Sequence, residues 1–284
     1  MSGAATLIEG VGITAVGTVW GDDLAAFKGR SELPERKHLK LMTRAVQLGV
    51  AGVGRALAGR PGWQDVSPER RGLFVGARPV GAPEDLEPAL AVARDGQRLD
   101  LQRFGSEGLA RLHPLWLVKG LSNNIPGYAC AYWDLRGPVA NRCEGRVGGL
   151  AAIVEAARAV AEGRVDLAVA GGADCLLPTP PWARGATGEG AAFVVLERGA
   201  GRAVTSAEIR LDPDLSAEDE HGVGGVDAGS ATGPLRLVRA LGGKGPAEVT
   251  VRDAERAAKD MNGAVIEKQG RRYKIMNPSK MRST

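Results

Sequence analysis

Apolar and polar positions follow two different periods along the chain. Short apolar runs bounded by glycine, TLIEGVGITAVG, RRGLFVGARPVG and GEGAAFVVLERG, predict strands. From Leu39 to Leu57 apolar residues recur every three to four positions before a glycine, which predicts a helix. LHPLWLVKGLSNNIPGYACAYWDL predicts a helix that is broken near Pro126 and continues through Tyr132. Strands that alternate with helices favour a layered α/β sheet with parallel pairing.

The clearest succession of elements runs from Arg136 to Cys175. A Gly-Pro turn feeds the polar strand VANRCEGR, and a corner of small residues follows from Gly145 to Gly149. Next come an alanine-rich helix, Leu150–Glu162, and an apolar strand, Val165–Ala170, which is predicted to end at Gly171 and Gly172. Further along, AEIRLD and AEVTVRD predict short strands, and DAGSATGPLRLVRALGG predicts a helix. A strand-to-helix corner is a common place to expose a nucleophile.

Composition is that of an ordinary globular protein: 284 residues, 44% hydrophobic and 25% charged. With 4% aromatic residues and 41 glycines, the core is expected to consist mainly of Ala, Val and Leu. No apolar run is long enough to span a bilayer, and the N-terminus lacks the basic region of a signal peptide. Cys130, Cys143 and Cys175 have no paired spacing, which argues against a disulfide framework or a zinc site. We therefore expect a cytoplasmic protein with buried, reduced thiols.

Positive charge is concentrated at the C-terminal end. The chain carries a net charge of +4, and residues 258–284 hold seven basic and two acidic side chains. This segment is therefore +5, which leaves about −1 for residues 1–257. We expect a body over 1–257 and a basic tail over 258–284, which is either a partner-binding arm or a solvated extension. A single aromatic residue, Tyr273, accompanies these charges, which argues against nucleic-acid binding.

Taken in order, several segments resemble a β-ketoacyl synthase of the thiolase-like fold. They are IEGVGITAVG, KLMTRAVQLGVAGVGRAL, ERRGLFVGA, the LHPLWLVKGLSNNIPGYACAYWDLRGP segment with its following corner and helix, VDLAVAGGAD and GEGAAFVVLER. The resemblance covers roughly residues 5–200, with a further fragment near 222–240. It implies an α/β fold with helices packed on mixed, largely parallel sheets, and a second half that is shortened from about residue 200.

The same resemblance places the family's nucleophilic cysteine on Arg146. Cys143 lies three residues too early, inside the predicted strand. Thiolate attack needs a deprotonatable sulfur at the helix N-terminus, whereas a guanidinium stays protonated and cannot be the nucleophile. A cation at the positive end of a helix also needs a compensating anion, for which Glu144 or a carboxylate from a partner subunit are candidates.

The histidines that the family uses as bases are also missing. The chain has only His38, His113 and His221, and the segment GVGGVDAGSATGPLRLVRAL places Val226 near the family's histidine position. We expect all three histidines to be ordinary surface or loop residues. We therefore predict no catalytic residue, no cofactor and no metal. Asp212 and Asp214 are expected in a solvated loop.

The corner Arg146-Val147-Gly148-Gly149-Leu150 is similar to that of chain-length factors, the catalytically silent partners of type II polyketide ketosynthases. In that group a glutamine usually replaces the cysteine, so arginine is a departure. The resemblance implies a heterodimer with an active ketosynthase, in which Arg142, Glu144 and Arg146 form charge pairs across the interface and Gly148 and Gly149 belong to a vestigial site. The alternative is that these charges satisfy one another within the chain.

Two other functions remain open at this stage. The first is a scaffold or docking module whose basic tail binds an acidic acyl carrier protein. The second is a diverged acyltransferase that uses Cys143 as a displaced nucleophile, for which the sequence offers no base at convincing spacing. Neither nucleic acid nor a membrane is expected as a partner.

Overall fold

A computed structural model describes residues 8–78, 83–96, 98–177, 187–199, 205–209, 229–241, 248–249, 265–269 and 272–276. The strands are β1 (Ile8–Val19), β2 (Arg71–Gly76), β3 (Arg94–Asp95), β4 (Arg98–Leu99), β5 (Val139–Arg142), β6 (Leu167–Cys175), β7 (Glu189–Arg198), β8 (Thr205–Ile209), β9 (Glu248–Val249), β10 (Val265–Gln269) and β11 (Arg272–Met276). The α-helices are α1 (Asp22–Ala26), α2 (Gly29–Glu32), α3 (Arg44–Ala58), α4 (Pro83–Ala93), α5 (Leu101–Arg103), α6 (Trp116–Lys119), α7 (Asn124–Trp133), α8 (Gly148–Ala161) and α9 (Thr232–Leu241).

Nine of the described strands form one mixed sheet in the order β5-β2-β6-β7-β1-β8-β10-β11-β9. Parallel pairing joins β2 to β5 and to β6, and a single residue pair joins β8 to β10 in the same sense. The remaining pairs in this sheet are antiparallel. The short strands β3 and β4 form a separate hairpin. The mixed, layered α/β architecture predicted from the sequence is confirmed.

Helices cover both faces of the sheet at its centre, which explains why the central strands are continuously apolar. In β2, Phe74 packs into the cluster of buried residues built around α8, whereas Leu73 and Val75 pack into the cluster built around α3. In β6, Ala170 and Val169 divide between the two clusters in the same way. Alternate side chains point to opposite faces of a strand, so each helix layer receives every second residue.

Several predicted element boundaries are wrong by a few residues. The helix expected from Leu39 is a 3₁₀ helix, Arg36–Leu41, followed by α3, because the hydroxyl of Thr43 accepts a hydrogen bond from the Val46 amide at 3.4 Å and caps α3. The break near Pro126 lies before that residue, in the turn between α6 and α7. Proline fits the first turn of α7 because amides there have no partner within the helix.

Boundaries around the corner differ as well. The polar strand β5 ends at Arg142, so Cys143 lies just beyond the strand rather than inside it. Helix α8 begins at Gly148, two residues earlier than predicted. Strand β6 continues through its two glycines to Cys175 because β7 pairs with it along the whole length.

Two features bear on the sequence predictions for the whole chain. No helix in the described part of the chain is both long enough and apolar enough to cross a membrane. Strands β10 and β11 lie within the predicted basic tail and pair with each other. The boundary between body and tail at residue 257 stays a prediction.

Candidate functional site

The predicted nucleophile corner lies between β5 and α8. A 3₁₀ turn, Gly145–Val147, connects the two elements, and Gly145 adopts a positive φ of 61° that favours glycine. Arg146 lies at the middle of this turn and is half-buried. Val147, the residue before α8, offers no side-chain cap to the helix. Arg146 precedes it and lies near the N-terminus of α8, where the helix dipole is positive. The guanidinium thus occupies the place that the resemblance assigns to a nucleophile.

Arg142 forms its charge pairs within the chain. Its Nε and Nη2 atoms each lie 2.7 Å from Oε2 of Glu155, and its Nη1 lies 3.5 Å from Oε1 of Glu144. These side chains are partly exposed, so each pair contributes at most about 1 kcal/mol to stability. The arrangement matches the alternative in which these charges satisfy one another. The predicted pairs across an interface, and the anion that compensates Arg146, stay predictions.

The glycines that follow the corner make room for a second segment of the chain. A Cβ atom at Gly149 or at Gly172 would overlap the carbonyl oxygen of Ser230. The 3₁₀ turn Gly229–Ala231 is therefore seated directly against the start of α8. The hydroxyl of Ser230 donates a hydrogen bond of 2.8 Å to the carbonyl of Gly145. The fragment predicted near residues 222–240 thus contacts the corner through its described part.

A buried carboxylate holds this segment in place, and the sequence analysis did not single it out. Asp174 is 3% exposed, and its Oδ2 lies 3.1 Å from Nε of Arg78. The same oxygen accepts the Ser230 amide at 3.3 Å, and Oδ1 accepts the Cys175 amide at 3.0 Å. The sequence signal that could have identified Asp174 is an aspartate directly after the Gly-Gly-Ala sequence of an apolar strand. A charge at such a position needs an opposite charge and hydrogen bonds.

The three thiols differ in exposure and in their contacts. Cys143 is exposed, which corrects the prediction of a buried thiol, and its sulfur accepts a hydrogen bond from Nδ2 of Asn141 at 3.2 Å. An amide cannot act as a base. Burial raises the pKa of both Cys130 and Cys175 to about 11, so these two thiols remain protonated near neutral pH.

The described histidines have contacts away from the corner. Nδ1 of His38 lies 2.8 Å from the hydroxyl of Tyr132, and the two rings stack with centroids 5.8 Å apart. His113 is exposed and accepts the backbone amide of Leu115 at 3.1 Å. His38 is half-buried and His113 is exposed. His221 and Val226 lie outside the described residues.

The described ranges contain no group of three or more His, Cys, Asp or Glu side chains that could hold a metal ion. Asp212 and Asp214 lie outside those ranges. The residues around the corner include Arg142, Glu144, Arg146, Gly148 and Gly149, and tertiary contacts add Ser230, Asp174 and Arg78. The interface or vestigial role of the first five stays a prediction.

Solved ketosynthase structures match this chain. A type II PKS acyl-carrier protein in complex with its ketosynthase bound to the hexaketide aligns with a TM-score of 0.56 and 19% identity, over 71% of this chain and 67% of that chain. A β-ketoacyl synthase from Burkholderia phymatum STM815 aligns with a TM-score of 0.55 and 20% identity, over 76% of this chain and 67% of that chain. The ishigamide ketosynthase/chain length factor aligns with a TM-score of 0.53 and 19% identity, over 74% of this chain and 68% of that chain. No family model and no curated protein matches the chain. At these identities the likeness establishes the fold, and the predicted ketosynthase-like, thiolase-like fold is confirmed.

Proposed function

We propose that this chain is a non-catalytic, ketosynthase-like subunit that pairs with an active ketosynthase and helps to shape elongation of an acyl or polyketide chain. The observation that carries the proposal is Arg146 at the nucleophile corner. A guanidinium neither attacks a thioester nor accepts a proton, so this corner cannot form an acyl-enzyme. The thiol that lies nearest in sequence, Cys143, contacts an amide rather than a base.

The free edge of the sheet supports a partner beside the corner. In the described part of the chain β5 is an edge strand, paired only with β2. An edge strand offers unpaired amides and carbonyls to a second chain. Val139 on this strand is 49% exposed, and Oδ1 of Asn141 is buried without a hydrogen-bond partner among the described residues. A strand from the partner subunit would cover Val139 and could supply a donor to Asn141.

Structural neighbours favour the same type of assembly. One of them is described as a ketosynthase/chain length factor, and another is a carrier protein in complex with its ketosynthase. We infer that this chain forms the same kind of heterodimer, in which the partner supplies the cysteine and histidines. Elongation then takes place in the partner, and this chain contributes surface rather than chemistry.

Co-purification with an intact ketosynthase tests the proposal. The two chains are co-expressed with a tag on only one of them, and the mass of the complex is measured by light scattering. We expect a 1:1 complex that elongates acyl chains, whereas this chain alone forms no acyl-enzyme. A stable monomer that ignores every intact ketosynthase offered would contradict the proposal.

The acyltransferase alternative has its own test. A thiol-reactive acyl probe applied at neutral pH would form an adduct on Cys143 if that thiol were the nucleophile. We expect labelling no faster than that of an exposed cysteine in a short peptide. Rapid, saturable acylation of Cys143 would replace our proposal with this alternative.

A further inference from the structure

Exposed apolar side chains are concentrated in one short segment of the described chain. Ten large hydrophobic side chains are exposed among the described residues, and five of them lie within residues 109–121: Leu109, Leu115, Leu117, Val118 and Leu121. Leu117 is 70% exposed, and Leu109 and Leu121 are each more than half exposed. We call residues 109–121 the leucine segment. Exposed apolar residues that are scattered singly are ordinary, whereas a concentration of them marks an interaction site.

The leucine segment is a defined part of the fold that leaves its apolar side chains outside the core. It consists of the 3₁₀ turn Leu109–Arg111, a connecting turn and α6. The buried side chain of Asn124, the first residue of α7, donates hydrogen bonds of 2.7 and 3.2 Å to the carbonyls of Val118 and Lys119. No residue of the leucine segment belongs to the apolar clusters that form the described core. The leucines therefore project from a backbone that is tied to α7.

The charge along this segment has one sign. Residues 108–133 contain no Asp or Glu, although the whole chain holds 33 acidic residues, whereas Arg111 and Lys119 add positive charge. Arg111 is exposed, and no ion pair joins it to another described residue. Trp116, which is half-buried in α6, is a residue type that is enriched where membranes meet water. An exposed apolar surface with positive charge complements a surface that is apolar beneath a layer of negative charge.

We propose that the leucine segment binds peripherally to an anionic lipid bilayer, with its leucines among the acyl chains and Arg111 near the headgroups. Hydrocarbon accepts any protruding apolar side chain, and anionic headgroups attract a basic segment that lacks carboxylates. A protein partner fits less well. The centres of protein interfaces are enriched in aromatic residues, Met and Arg, and leucine is under-represented among the residues that dominate binding.

This inference departs from the sequence analysis, which found no apolar run that could span a bilayer and expected no membrane partner. Peripheral binding has a different requirement, namely exposed apolar side chains on a surface without negative charge. Only the structure shows that the leucines of this segment are exposed. The inference goes beyond the proposed function and does not rest on it, because the isolated chain carries the whole segment.

Co-sedimentation of the full-length chain with lipid vesicles tests the site. The vesicles contain equal parts of phosphatidylcholine and phosphatidylglycerol, or phosphatidylcholine alone. The double substitution Leu117→Ser and Leu121→Ser removes two leucines of the segment, and the matched control, Leu101→Ser and Leu177→Ser, removes two of similar exposure outside residues 108–133. We expect Kd for the mixed vesicles to rise at least about tenfold for the first variant and less than about twofold for the control. Arg111→Glu should weaken binding to the mixed vesicles alone.

Three results would overturn the proposal: no binding of the wild-type chain to either kind of vesicle, equal losses in the two double variants, or loss of vesicle binding once an intact ketosynthase is bound. The second indicates nonspecific attraction, and the third assigns the leucine segment to a protein interface. Circular dichroism of each variant verifies its fold. Co-purification with a ketosynthase is measured on the same variants. Vesicle binding by a chain that pairs with no ketosynthase supports this inference and contradicts only the proposed function.

Discussion

At the residue scale, the clearest departure from the family that this chain resembles is Arg146 at the corner before α8. The corner, the helix behind it and the strand before it have the arrangement that presents a nucleophile, yet the side chain is that of Arg146. A guanidinium offers donors but no nucleophilic lone pair, so this side chain cannot replace a thiolate. Around it, Arg142 and Glu144 are engaged in ion pairs within the chain. The consequences can be tested by changing single residues.

The first prediction concerns restoration of the thiol. Arg146→Cys should place a thiol at the N-terminus of α8, where the helix dipole favours the thiolate, and should therefore accelerate its acylation by a thioester probe. Elongation activity of the isolated chain should remain at background because neither His38 nor His113 contacts the corner. Cys143→Ser in the same background confirms which thiol is labelled. Measurable elongation by this variant alone would show that a base is in place.

The second prediction concerns thiol reactivity. With iodoacetamide at pH 8, exposed Cys143 should be modified first, and Cys130 and Cys175 much more slowly. A pKa of about 11 leaves on the order of one thiolate per thousand at that pH, so their rates should rise about tenfold per pH unit until the pH approaches 11. Mass spectrometry of digested protein over time measures each site. Equal rates at all three cysteines would contradict the burial described here.

At the scale of elements, close approach of backbones holds the corner together. Glycine at the start of α8 and within β6 lets the Ser230 turn lie against both elements, and Asp174 fixes that turn through its amide. Close-packed interiors give no room for an added methyl group without displacement. The positioning of the corner thus depends on contacts between segments that are more than fifty residues apart in the chain.

The third prediction tests this contact. Gly149→Ala should lower the free energy of unfolding by about 1–3 kcal/mol, because the new Cβ overlaps the Ser230 carbonyl. The matched control is Gly127→Ala in α7, where a Cβ meets nothing within 4 Å. That change should raise stability by about 0.5–1 kcal/mol through the higher helix propensity of alanine. Urea unfolding of both variants measures the difference, and an unaffected Gly149→Ala would argue against the seated turn.

At the scale of the whole molecule, the distribution of exposed surface indicates where partners bind. The two faces of the sheet are covered by α3 and α8 at its centre, and among the described strands β5 lies at the edge, paired only with β2. In the assembly that we propose, this edge is the surface that the partner subunit covers.

The fourth prediction follows from the open edge. Val139→Lys should abolish pairing with an active ketosynthase, since burying a charge in an interface is costly, and should leave the isolated chain folded because Val139 is 49% exposed. Leu99→Lys, at a residue of similar exposure in the β3–β4 hairpin, is the control. Size-exclusion chromatography of each mixture measures pairing. A Val139→Lys chain that still forms the heterodimer would place the interface elsewhere.

The sequence by itself determined the alternation of strands and helices, the layered architecture and the occupant of the nucleophile corner. These depend on local periodicity and on single residues, such as the glycines that bound the runs and Arg146 itself. It placed the start of α8 and the end of β6 wrongly because strand ends depend on the neighbouring strand and helix starts depend on local capping. A short apolar run encodes neither the pairing that ends a strand nor the first residue of a helix.

Only the tertiary structure decided which distant residues meet. It brought Asp174 to Arg78 and Ser230, seated the Ser230 turn on the corner, and paired Arg142 with Glu155. Such contacts are set by packing between segments far apart in the chain, which leaves no periodic signal in the sequence.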